Sequence, residues 1–256
     1  MSRLFPYADE LAHLKIALDI AFGKGVESNA AAKEDRVVFP LGVATRNLFE
    51  EVIWSVNQGF GRAALRTSRT LYECVVFSLY INKHPETWAG YLNTLYAQWG
   101  KVLQNFSEAE QKLPAMHKVL SEKVPGYGEG KFISLSWSDD RTTFAMASDV
   151  GISELFHSLA FNYTSGFVHP SAMFLLSGFG PNTPDGRLNT TKESEDDESK
   201  MALQITHDVI INALRLRLKY ADSRQLRESL AVCEKDFVKN LGLPTSANAL
   251  ASGVKK

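Results

Sequence analysis

The sequence is short of most things that announce a chemistry. Two cysteines, Cys74 and Cys233, in 256 residues are not a disulfide framework. Cys74 sits in an apolar stretch and reads as a small buried hydrophobe, so a reducing, cytoplasmic setting is expected. There is no HExxH, no CxxC and no EF-hand loop, and the six histidines are scattered. A dedicated metal site is therefore not expected, and neither is a cofactor. The GFGR at 59–62 has two glycines but no Walker lysine, and no strand precedes it. No GxSxG elbow or diagnostic nucleophile–base spacing occurs. The net charge of −1 argues against a nucleic-acid coat or a membrane-surface role for the whole chain. Leu155–Pro184 contains no Asp, Glu, Lys or Arg. It is nonetheless broken by Asn162, Tyr163, two histidines, Pro170 and three glycines, so a buried segment is expected there rather than a membrane span. The N-terminal MSRLFPYADELAHL has acidic residues where a secretion signal needs an uninterrupted apolar run.

What is present is helical periodicity. At 45% hydrophobic and 22% charged, the chain has an ordinary globular composition. Apolar residues recur at helical spacing over 8–22, 40–58, 86–106, 153–168, 201–220 and 223–240. The expectation is an all-α single domain over 1–240, a helical bundle built around a central buried helix of about 62–82, with helix 153–168 packed on it. Residues 241–256 are expected to be a disordered tail. Gly178–Lys200, rich in Gly, Pro, Asn and Thr and then acidic, reads as a mobile loop. Pro40 is expected to open the second helix, Pro114 to kink or split the helix after Ser107, and Asp139 and Asp140 to start a short one. Residues 132–138 alternate with period two but have no partner strand. Trp88, Tyr91, Leu92, Leu95, Tyr96 and Trp99 read as a core-facing stripe.

Two polar groupings stand in these apolar surroundings. Arg62, Arg66, Arg69 and Glu73 fall at steps of four, three and four, and share one narrow face of the central helix. Arg69 and Glu73 can pair directly. Arg66 then needs a partner from elsewhere, a ligand or water, because a buried unpaired charge is too costly to persist; a solvated front half of the helix is the alternative. The second grouping is Tyr163, Ser165 and His169, in a charge-free stretch that bends at Pro170. His169 is the residue suited to proton transfer near neutral pH. Arg66 and Tyr163 complete the candidate catalytic set; Arg69, Glu73 and Ser165 are candidate ligand contacts.

The segments ALRTSRTLYE, SWSDDR and FNYTSGFVHPS together resemble a large bacterial family of helical proteins of unknown function. Those proteins carry an Arg–x6–Glu helix (here Arg66 and Glu73), a Trp/Arg segment (Trp137 and Arg141) and a Tyr–x–Ser–x3–His motif (Tyr163, Ser165 and His169). The likeness spans about residues 40–220, and it adds Trp137 and Arg141 to the candidate ligand contacts. The chain is more distantly similar to the HEPN superfamily of helical bundles, whose active members are metal-independent endoribonucleases with an Arg–x4–6–His motif at a dimer interface. Here Tyr163 stands six residues before His169, and no arginine lies within Leu155–His169. The likeness implies RNA or a nucleotide-like anion as partner, together with a second copy of the chain. His169 would act as acid or base, and Arg66 or Arg69 would hold the phosphate. The competing expectation is a non-catalytic ligand-binding or interaction module.

Overall fold

The structure, a computed structural model, describes residues 8–104, 112–124, 127, 137, 141–168 and 196–241. Every regular element among them is helical, and the fold is an all-α bundle. In chain order the helices are α1 (Ala8–Phe22), α2 (Asp35–Asn57), α3 (Gly61–Lys83), α4 (Trp88–Gln104), α5 (Pro114–Lys123), α6 (Thr143–Asp149), α7 (Glu154–His157), α8 (Thr164–Val168), α9 (Asp196–Tyr220) and α10 (Arg224–Leu241). A 3-10 turn, Pro85–Thr87, leads into α4, and a π-helical segment, Ser158–Tyr163, joins α7 to α8.

Helix α3 is the axis. Helices α2 and α9 pack along it, and α6, the π-helical segment and α8 cover a further face. Leu65, Leu71, Tyr72 and Val76 of α3 are fully buried in the main core, with Phe49 and Val52 of α2 and Ile210, Ile211 and Leu214 of α9. Polar groups buried at this junction are satisfied locally. Ser68 Oγ donates to a carbonyl of its own helix, Ala64 O, at 2.9 Å, and lies 3.0 Å from Thr206 Oγ1 of α9.

The hairpin between α2 and α3 is set by Gly59, at φ +79°. Its N–H donates to Val56 O, and Phe60 N–H donates to Ser55 O at 2.8 Å. These are the paired bonds of a Schellman stop, which needs a left-handed residue that glycine supplies without Cβ strain.

Several expected boundaries are corrected. Helix α2 begins at Asp35, so Pro40 lies inside it rather than at its start. The polar stretch before Pro40 is held by burial: Asp35 is 0% exposed and faces Arg217 of α9 at 3.3 Å. The split expected at Pro114 is present: Lys112 is helical, Leu113 is not, and Pro114 is the first residue of α5, where its missing N–H costs nothing. Thr142, not Asp139 or Asp140, opens α6, its hydroxyl accepting from Ala145 N–H at 3.2 Å. Asp196–Lys200 are helical, not loop, because acidic residues in a first turn suit the helix dipole. The expected loop from Gly178 to 195, the tail from 242, and all of 132–138 except Trp137 lie outside the described residues. The stripe on α4 faces the core only in part: Leu92 and Trp99 are exposed, while Trp88, Tyr91 and Tyr96 are half-buried. No helix among the described residues is long and apolar enough to cross a membrane.

Candidate functional site

Ser153 caps the segment that leads to the candidate site, its hydroxyl accepting from Phe156 N–H at 3.2 Å. The helix then widens to π geometry at Ser158–Tyr163 before returning to α. Where a widened turn closes, carbonyls lose their ordinary donors, and hydroxyls back-bond to them. Thr164 Oγ1 donates to Ala160 O at 2.7 Å, and Ser165 Oγ donates to Phe161 O. Single π turns recur at functional positions because they re-aim side chains. Here the segment lies against α3.

The juxtaposed residues form a chain of contacts. The Arg69 guanidinium lies over the Phe161 ring, 4.4 Å from its centroid, and faces Glu73 at 3.6 Å. Phe161 stacks on His157 at 5.1 Å and 20° between planes. His157 Nδ1 is hydrogen-bonded to Tyr72 Oη at 2.8 Å. Phe156 and Phe144 flank the Tyr72–His157 pair.

Burial sets the charge states. His157 is buried, which pulls its pKa below the ordinary histidine value and favours the neutral ring. Burial likewise pushes the Tyr72 phenol well up, with the neighbouring Glu73 charge adding to it. The Glu73 carboxyl is raised by desolvation, and Arg69 offsets part of that rise. Desolvation, then the Glu73 charge, lift Cys74 to about 11 and contribute to a Tyr91 value of about 12. Cys74 is therefore a protonated thiol at neutral pH; it is half-buried, and both cysteines are free.

The expected site residues separate into groups. Arg69 and Glu73 are half-buried and paired, as their spacing predicts. Arg66 is exposed, but Arg62 and Arg69 on the same face are half-buried with their Nε atoms enclosed, so the front half of the helix is not solvated as a whole. Tyr163 is half-buried, its ring meeting Phe167 edge-on at 5.3 Å. Trp137 and Arg141 lie at the other end of α3. Trp137 packs against Phe77, Tyr80 and Tyr91, at 5.4, 5.7 and 4.9 Å. The Arg141 guanidinium is 5.9 Å from the Tyr80 ring. His169 lies outside the described residues. No group of three metal-binding side chains occurs among the described residues.

Sequence reasoning missed His157 and Phe161. His157 is four residues before Phe161, about one helical turn, so the two rings can meet on one face. No curated protein and no solved structure matches the chain. One family model does match, across 35–186, the region that carries α2, α3, the π-helical segment and all the candidate residues. On that coverage the chain belongs to a family of unknown function, DUF5677.

Proposed function

We propose that the protein binds a small anionic or nucleotide-like ligand where α3 meets the π-helical segment, with Arg69 as the anchor. The observation that carries this reading is the state of Arg69. Its guanidinium is positioned by Phe161 and sits 3.6 Å from Glu73, beyond good hydrogen-bonding distance, while its Nε is buried with no hydrogen-bond partner among the described residues. A held, partly desolvated cation with spare donors is what recognition of a carboxylate or phosphate requires. Exposed Arg66, one turn earlier on the same face, adds attraction for a negative charge. Metal-independent RNA cleavage is the catalytic form of this reading, with His169 as acid or base and Arg66 or Arg69 on the phosphate.

Calorimetric titration of nucleoside monophosphates and short single-stranded RNA, with chelator present, tests both forms. Arg69→Ala is expected to weaken binding at least about tenfold, roughly 1.4 kcal/mol, with the far-ultraviolet spectrum unchanged. Identical titrations of wild type and Arg69→Ala would overturn the binding reading. Intact RNA after prolonged incubation would remove the catalytic form alone.

A further inference from the structure

Arg69 does not meet an incoming anion as an isolated charge. Glu73 stands one helical turn on, its Oε1 3.6 Å from the guanidinium, with the two side chains 16% and 28% exposed. Both belong to α3, so no shift of one element against another can part them. Phe161 holds the guanidinium from the facing segment at 4.4 Å, and this contact keeps Arg69 in place whichever charge Glu73 carries. Desolvation acts on the Glu73 carboxyl more strongly than Arg69 does, and holds it above its ordinary range. As pH falls through that raised value, Glu73 becomes neutral while Arg69 stays charged.

The neighbouring titratable groups divide in two. Tyr72 and Cys74 beside Glu73 on α3, and Tyr91 of α4, are all pushed upward by burial and by the Glu73 charge, so they stay protonated and neutral. On the π-helical side His157, hydrogen-bonded to Tyr72, is held below the ordinary histidine value. Glu73 and His157 are therefore the groups here that take up protons on mild acidification. Charge balance separates their roles. An uncompensated charge in a half-buried setting is costly. With Glu73 ionised the Arg69–Glu73 pair is neutral, and an added anion leaves one negative charge in excess. With Glu73 protonated, Arg69 balances the anion. The carboxyl then also carries an O–H donor in place of acceptors alone, which turns it from a competitor into a contact.

We propose that Glu73 gates the Arg69 site by protonation: an anion binds together with a proton, which Glu73 takes from solvent and returns when the anion leaves. The inference rests on the binding reading above and adds its regulation. Anion affinity then rises as pH falls, and levels off once Glu73 is protonated in the free protein.

Uridylyl-uridine is the probe, because its one phosphodiester and its uracil rings keep the same charge from pH 5.5 to 7.5. Calorimetric titration at both pH values, in two buffers of different ionisation enthalpy, counts the protons exchanged on binding. Wild type should bind severalfold more tightly at pH 5.5 and take up protons as it binds. Glu73→Gln keeps the side chain's size and cannot ionise. It should bind at both pH values about as tightly as wild type does at pH 5.5, with no proton uptake. His157→Gln should keep the wild-type pH dependence, which supplies a second variant if Glu73→Gln does not fold. Binding that strengthens on acidification as much in Glu73→Gln as in wild type, or that loses its pH dependence in His157→Gln, would assign the proton to His157 and overturn the gate. Wild-type binding that is equal at the two pH values would overturn the gate and leave the Arg69 reading standing. No binding by wild type at either pH would remove both.

Discussion

At the scale of single residues, the Tyr72–His157 hydrogen bond is the feature most exposed to test. Both groups are buried, and their bond is 2.8 Å long. Tyr72→Phe removes the oxygen and leaves His157 Nδ1 without that partner in an apolar surround. The expected loss is about 1–3 kcal/mol, read as a lower urea midpoint at unchanged slope. Burial also pulls His157 and His207 below their unfolded pKa. The unfolded chain therefore takes up protons first as pH falls. Stability from these two groups is fully present above about 6.5 and is lost progressively below it, toward their lower folded values. Urea midpoints at pH 7.5 and 5.5 check this: wild type should fall on acidification, and His157→Gln should fall less. An unchanged wild-type midpoint would sink the assignment of both rings as buried and neutral.

At the scale of elements, two glycines respond to alanine for different reasons. Gly59 has positive φ, so Gly59→Ala strains the α2–α3 stop, and a loss of about 1–2 kcal/mol is expected. Gly42 is inside α2, where alanine would ordinarily gain up to about 1 kcal/mol. Its added Cβ would lie 2.1 Å from a ring carbon of Phe22, itself packed by Phe39 and Arg217. Gly42→Ala should therefore destabilise, by about 1–3 kcal/mol of overpacking, and thermal melts should show the sign reversed from helix propensity. Element identity was legible from periodicity: α1, α3 and the span from Ser153 to Val168 stand close to their expected bounds. Element ends were less so. Asp35 starts a helix ahead of a proline because α9 supplies a buried arginine to it, and a partner 182 residues away leaves no mark on local sequence.

At the scale of the molecule, that ion pair ties the start of α2 to the end of α9. Arg217 is 2% exposed and Asp35 0%; the guanidinium also donates to Glu27 O at 2.8 Å and lies 4.8 Å from the Phe39 ring. Asp35→Ala leaves a buried cation without its counter-charge and should cost about 3–5 kcal/mol; a melting temperature near wild type would show the pair to be dispensable. What the sequence by itself determined was the helical class, the central helix and the pairing of Arg69 with Glu73. These follow from spacings of three and four residues, which one helix enforces wherever it lies. Only the tertiary structure decided which residue of the charged stripe meets water, which histidine is buried beside Tyr72, and that His84 and Asp149, 65 residues apart, share a hydrogen bond. Those contacts arise where separate helices cross, and no local periodicity encodes the partner on the far side of a crossing.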